Sequence, residues 1–266
     1  MDPEKDYAKV NKALWNKKTA FHLPSAFYDN QRFIDGRSSL NTIELDLLGD
    51  VKGKRILHLQ CHFGQDTISL ARMGATTVGV DLSDAAVSEA TKLATLTDAN
   101  ATFICCNVYD LPNFLDEQFD IVFTSYGTIG WLPDLDKWAG IIDTFLKPDG
   151  QFIFADFHPV VWMLDSGFNK ITYNYFKDEA IIENKESTYA DENADINLKE
   201  ITWNHSIAEV LTSLHDEGFS IAAFREFDYS PYNCFSDLEE FEQGKFRSKK
   251  HGNKLPMVFA FKALKP

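Results

Sequence analysis

From Val51 to Ala155 short apolar runs alternate with amphipathic stretches, and this alternation restricts the fold more than any other feature of the chain. Arg55-Ile-Leu-His-Leu, Thr76-Thr-Val-Gly-Val, Thr102-Phe-Ile-Cys-Cys, Phe119-Asp-Ile-Val-Phe-Thr and Gln151-Phe-Ile-Phe-Ala each read as a strand. Between them, Asp66 to Met73 reads as a helix stopped by Gly74, a second helix capped by Ser83 or Asp84 runs to about Thr95, and Lys137 to Leu146 is a third that ends at Lys147-Pro-Asp-Gly. Strands apolar on both faces need helices on both sides of the sheet. The pattern therefore predicts an α/β fold with a doubly wound, mostly parallel sheet.

The flanking text divides the rest. Residues 1–50 read as an N-terminal helical cap, with helices over Tyr7 to Lys18 and Ser39 to Leu48, and residues 51–156 as the core. The rhythm breaks over 157–205, where Tyr173 to Phe176, Ala180 to Asn184 and Leu198 to Trp203 show period-two patterning, as expected of a small antiparallel β insert lying over the sheet's edge. Residues 206–266 return to the core, with Ile207, Val210, Leu211 and Leu214 on one helix face and two final strands near Phe219 and Met257. That makes seven strands.

Charge narrows the partners. The 26 Lys and Arg against 40 Asp and Glu give a net charge of −14, which repels phosphate backbones and anionic lipid and predicts no nucleic-acid partner. A charged N-terminus and the lack of any apolar run near 18 residues predict neither export nor a membrane span, hence a cytoplasmic protein. Cys61, Cys105, Cys106 and Cys234 form no C-x-x-C pair, and none of the seven His has metal-ligand spacing, so a reduced, metal-free chain is expected.

In open parallel sheets ligands bind beyond the carboxyl ends of the strands. There the first strand ends in Leu59-Gln-Cys-His-Phe-Gly-Gln-Asp-Thr, whose Gly64 precedes a helix N-terminus and would let the backbone approach a ligand. Asp81 ends the second strand at the offset expected of an acid that accepts ribose hydroxyls. The third ends in Cys106-Asn-Val-Tyr-Asp-Leu-Pro, the fourth in Thr124-Ser-Tyr-Gly and the fifth in Asp156-Phe-His-Pro. No G-x-G-x-x-G follows the first strand, which disfavours a nicotinamide-dependent oxidoreductase.

Taken in order, these segments resemble the class I S-adenosylmethionine-dependent methyltransferases, whose fold is Rossmann-like. Ile56-Leu-His-Leu-Gln-Cys-His-Phe-Gly aligns with the family's V-L-D-L-G-C-G-T-G, with His58 for the acid and Gln60 and His62 for two glycines. Val78-Gly-Val-Asp-Leu-Ser, Asn107 to Pro112, Phe119-Asp-Ile-Val and Leu146-Lys-Pro-Asp-Gly match further family segments, and Leu59 to Thr67 looks like the signature of a bacterial subgroup. The resemblance implies S-adenosyl-L-methionine as cofactor. It places Gln60, Cys61, His62 and Gly64 along the methionine and ribose, Asp81 on the ribose hydroxyls, Leu82 and Val108 against adenine, Asn107 at its amino group and Ser125 near the amino-acid end.

The implied reaction is methyl transfer to an unidentified small molecule, with a non-catalytic cofactor-binding protein as the alternative. His158, at the ligand end of the fifth strand, is the candidate base. His22, Tyr28, Tyr126, Tyr173, Tyr175 and Phe176 are the candidate acceptor pocket, whereas His58 and His205 read as structural and Lys245 to Lys254 as a solvated loop.

Overall fold

The computed structural model describes residues 2–266; Met1, the first residue of the expected cap, lies outside the described residues. The N-terminal segment holds α1 (Pro3–His22), α2 (Asn30–Ile34) and α3 (Thr42–Leu48). The core follows as β1 (Arg55–Leu59), α4 (Gln65–Arg72), β2 (Thr76–Asp81), α5 (Asp84–Leu96), β3 (Ala101–Cys105), β4 (Phe119–Ser125), α6 (Leu135–Phe145) and β5 (Leu146–Phe157). A short α7 (Pro159–Trp162) leads to a hairpin of β6 (Ile181–Lys185) and β7 (Leu198–Thr202). Then come α8 (Ile207–Asp216), β8 (Ser220–Phe227), a second hairpin of β9 (Leu238–Glu242) and β10 (Lys245–Ser248), and β11 (Val258–Leu264).

Seven strands form one sheet in the order β3-β2-β1-β4-β5-β11-β8, parallel except for β11, which runs antiparallel to both β5 and β8. The order reverses between β1 and β4, where Leu57 pairs with Val78 on one side and Val122 on the other. Caps set the helix starts. Ser83 accepts from the Ala86 N–H at α5, Asp134 from Lys137 at α6 and Ser206 from Glu209 at α8, while Asn41 and Glu44 make a capping box at α3. One sheet face buries Trp138, Phe152, Phe154, Phe259 and Phe261 beneath α6 and α8. The other buries Leu47, Ile56, Leu70, Phe123, Ile153 and Met257 beneath α3 and α4.

Four details depart from the expectation. The fifth strand begins at Leu146, because Lys147-Pro-Asp-Gly runs as part of the strand rather than as a separate turn. The 245–254 stretch is not all loop: Lys245–Ser248 pairs with β9, and Arg247 lies over the Phe241 ring at 3.5 Å. The β6–β7 hairpin does not lie along the sheet's edge but against α1. Asn11 of α1 donates to the Ile201 carbonyl at 2.7 Å and accepts from its N–H at 3.0 Å, satisfying a backbone residue of the insert as a neighbouring strand would. Tyr173 to Phe176, expected as an extended segment, is irregular.

Candidate active site at the carboxyl ends of the strands

The loop after β1 turns through two left-handed residues, Gln60 with φ 57° and His62 with φ 51°. Gln60 Nε2 donates to the Thr128 carbonyl at 2.9 Å, while its Oε1 is buried without a donor. Thr128 is itself fixed from β5. The carboxylate of Asp156, 1% exposed, accepts from the Thr128 N–H and hydroxyl, each at 3.0 Å, and from Gly127 N–H. Burial raises its pKa, and these donors oppose the rise. Asp156 is thus the anchor of the turn after β4, a role its position in Asp-Phe-His-Pro did not reveal.

Packing requires glycine at Gly64. It has φ 81°, and a Cβ there would lie 2.6 Å from the Phe103 ring on β3. Cys61 is buried, its N–H donating to Val80 and its thiol pushed well up by burial.

At the end of β2, Asp81 accepts the His62 N–H on one oxygen and the Ser83 N–H on the other, each at 2.8 Å. Burial lifts its pKa to about 6 although the residue is half-exposed, the combination expected of a group lining a recess. Leu82 beside it is also half-exposed. Asn107 donates to the Tyr7 hydroxyl at 2.7 Å and caps the turn at Tyr109, so α1 reaches over the end of β3. The Val108 side chain is buried in the main core.

Above the β1 loop sits an aromatic cluster from three segments. His22 Nδ1 and His62 Nε2 are 2.9 Å apart, and His22 Nε2 lies 2.6 Å from the Thr188 hydroxyl in the insert. Trp15 packs on His62 at 5.2 Å and on Trp131 at 5.3 Å, with Lys18 over both indoles. Burial and the Lys18 charge push His22 down to about 3 and hold His62 well below its usual value, so both rings are neutral at pH 7. Burial lowers Lys18 itself to about 8, against the pull of Glu200.

Ser125, at the end of β4, belongs to a buried chain of hydrogen bonds. Its hydroxyl donates to Asp66 at 2.9 Å and lies 3.3 Å from His58 Nε2, while His58 Nδ1 meets Thr67 at 2.8 Å. Burial lowers His58 to about 4, which makes it the satisfied core histidine that its strand position suggests. His205, between the Leu132 carbonyl and Glu209, is structural as well.

Beyond Ser125 a run of aromatic rings follows. Tyr126, Tyr232, Phe27, Tyr28 and Tyr189 touch in sequence, with centroid separations of 5.1, 5.8, 5.1 and 5.2 Å for Tyr126–Tyr232, Phe27–Tyr232, Phe27–Tyr28 and Phe27–Tyr189. Burial raises the pKa of all four phenols although each keeps accessible surface, 39% for Tyr189. His22, Tyr28 and Tyr126 thus belong to one set of touching rings together with Trp15, Trp131, Tyr189 and Tyr232.

Two expectations are corrected. His158 is a helix cap and not a free base: Nδ1 accepts from the Val160 N–H at 3.1 Å, which leaves the Nε2 hydrogen for Glu226 at 2.9 Å. Both nitrogens are spoken for at the β11–β8 side of the sheet. Tyr173, Tyr175 and Phe176 lie outside the recess, because Tyr173 bonds to Glu183 on β6, the Tyr175 hydroxyl accepts from Ile207 at the start of α8, and Phe176 is 70% exposed.

Known proteins resemble the chain in sequence over part of its length and in fold. Residues 57–154 match the family model described as a methyltransferase domain. The chain is 33% identical over 132 residues to an uncharacterized methyltransferase of Synechocystis, covering 49% of this chain and 60% of that one. To a ubiquinone biosynthesis O-methyltransferase of Neisseria meningitidis it is 31% identical over 121 residues, 44% and 50% of the two chains. It thus spans half to 60% of the length of these curated relatives. Among solved structures, an S-adenosylmethionine-dependent methyltransferase from Mesorhizobium loti superposes with a TM-score of 0.59 at 18% identity, over 87% of this chain and 100% of that one. Magnesium protoporphyrin IX methyltransferase from Synechocystis, solved with bound SAH, gives 0.54 at 17% identity over 98% and 100%. The two superpositions show a shared fold. No helix among the described residues is long and apolar enough to cross a membrane.

Proposed function

We propose that the protein transfers the methyl group of S-adenosyl-L-methionine to a small-molecule acceptor held between the cap, the β6–β7 insert and the carboxyl ends of the strands. Asp81 carries the reading. A carboxylate offers about four lone-pair sites, and the two backbone N–H groups on Asp81 leave room for a pair of ribose hydroxyls. Its place at the end of the strand next to the sheet's switch point is where such a nucleoside binds in open α/β sheets.

The other residues suit the same molecule. Gln60 Oε1, a buried acceptor without a donor, matches the ammonium of an amino acid, and leaving it unmet costs about 1 to 3 kcal/mol. Asn107 would shift part of its hydrogen bonding from Tyr7 to adenine, and Ser125 would flank the amino-acid end. When bound, the cofactor supplies a methyl carbon on a sulfonium whose departure leaves a neutral thioether. The protein's contribution is then to position the acceptor, exclude water and hold a proton. The α1 and β7 lid, joined through Asn11, serves the exclusion.

Calorimetry against S-adenosylhomocysteine, S-adenosylmethionine and NAD tests the proposal. Binding of the first two and not of NAD is expected. NAD binding without any response to S-adenosylhomocysteine would overturn it.

A further inference from the structure

We propose that the acceptor is a primary or secondary amine, bound in the tyrosine-walled part of the recess as its ammonium form with Asp66 as the counter-charge. The inference rests on the methyl-transfer reading and adds the substrate class.

Two carboxylates sit at this end. Asp66, the second residue of α4, is half-buried and takes hydroxyl donors from Ser39 and Ser125. Glu44 on α3 is 0% exposed and takes the Asn41 backbone N–H and amide together with the Tyr126 hydroxyl, the last at 2.8 Å. Among the described residues, neither has a Lys, Arg or His within ion-pair distance; every hydrogen-bond donor to either is neutral. Carboxylates in a low-dielectric setting require a cation or protonation. Glu44 takes the second course, with burial and then the Asp66 charge raising its pKa to about 7. Asp66, half-buried and met only by neutral hydroxyls, is the carboxylate left for a cation.

The walls agree in sign. The Asp66 charge acts on Tyr28, Tyr126 and Tyr232, whose pKa values burial has raised well above the usual, so these phenols stay neutral and offer π-faces. The face of such a ring stabilises a cation by about 0.5 to 2 kcal/mol and offers nothing comparable to an anion. Lys18, the cation on the lid, sits over Trp15 and Trp131 beside His62, at the other end of the site. A carboxylate or phosphate acceptor would meet the like charge of Asp66 here and no cationic partner.

The chemistry closes. The ammonium first loses one proton to water, which frees the nitrogen lone pair. That pair forms the N–C bond as the C–S bond breaks with its electrons left on sulfur, and the product departs as a methylated ammonium, again beside the Asp66 carboxylate. Glu44 does not touch the acceptor; through Tyr126 it fixes a ring of the wall and is a positioning residue.

The test uses the full chain saturated with S-adenosylhomocysteine and titrates n-butylamine, benzylamine and tyramine, each against the carboxylate of the same length. At least one amine should bind ten-fold or more tightly than its acid. Asp66→Asn should weaken that amine at least ten-fold while S-adenosylhomocysteine still binds, and Tyr232→Leu should weaken it without touching a carboxylate. Equal binding of an amine and its acid, no amine binding at millimolar concentration, or full amine affinity in a folded Asp66→Asn variant would each overturn the inference. Failure of the wild-type chain to bind S-adenosylhomocysteine at all would instead remove the methyl-transfer reading beneath it.

Discussion

The two ends of the recess are assembled from different kinds of chain. Gln60, His62 and Asp81 come from one β-α-β unit and are tied by backbone: the Cys61 N–H donates to Val80, and the His62 and Ser83 N–H groups hold Asp81. Tyr28, Tyr126, Tyr189 and Tyr232 come from cap, core, insert and C-terminal segment, and side chains alone bring them together, as where the Tyr28 and Tyr189 hydroxyls meet at 2.6 Å. Backbone-built geometry survives a change of surface, whereas packed geometry is re-made with every insert. A family can thus keep the first end and vary the second, which is how one sheet serves many acceptors.

If the cofactor end is held by backbone and packing, the substitution with the largest effect there should act on stability and not on ligand contact. Gly64→Ala forces a side chain at φ 81° against the Phe103 ring. Strain and overpacking together should cost about 3 kcal/mol in chemical denaturation. A variant of unchanged stability that had lost S-adenosylhomocysteine binding would return Gly64 to the role of a ligand cradle and undo the contrast.

Next comes Glu44, at the acceptor end. Its folded pKa of about 7 lies above the unfolded 4.5, so the folded state holds the proton more tightly. The associated stability is present in full below pH 4.5 and is lost as pH rises toward 7, by about 3 kcal/mol at 1.36 kcal/mol per unit. Burial of the histidines acts oppositely below pH 6.5, since the unfolded chain binds protons that His22, His62 and His58 refuse. Glu44→Gln isolates the carboxylate, because Gln also completes a capping box. Relative to wild type the variant should gain about 3 kcal/mol between pH 4 and pH 8. A parallel pair of stability–pH curves would mean that Glu44 is hydrated and the acceptor end open.

Asp81→Ala should then weaken S-adenosylhomocysteine by about 2 kcal/mol, the worth of hydrogen bonds to a charged group, which calorimetry reads as roughly thirty-fold. Affinity equal to wild type in a folded variant would leave Asp81 as a clamp on the β1 loop and nothing more.

What the sequence disclosed follows the same division. The alternation of strands and helices was legible because each strand is a local pattern, and Asp81 because its spacing from the first turn is set by one β-α-β unit. Tyr189, Tyr232 and Thr188 carried no such sign, since only the packing of insert and C-terminal segment brings them to the site. Asp66 stood inside the quoted Leu59 to Thr67 string without being singled out; the available signal was an acid in the first turn of α4, which reads as a helix-dipole residue. Gly64 was legible as an obligatory glycine but not for its cause, because Phe103 lies two strands away in the chain.

His158 supplies the smallest effect and the sharpest reversal. Placed after the fifth strand and before a proline, it reads as a base at the ligand end. Yet proline at the first helical position is also the mark of a helix start, and a residue in front of it that can accept a hydrogen bond is a cap. The imidazole takes that place, accepting from Val160 through Nδ1 and so keeping its proton on Nε2, where Glu226 receives it. A base needs a free lone pair, and this ring has none to give. Burial lowers the His158 pKa, with Glu226 opposing, and the Glu226 side chain is 52% exposed, so the pair adds little to stability. His158→Ala should therefore cost about 1 kcal/mol through the lost cap, leave S-adenosylhomocysteine affinity within two-fold, and leave amine binding to the loaded protein within the same range. A ten-fold loss of either affinity would bring His158 back into the site and blur the line between the two ends of the recess.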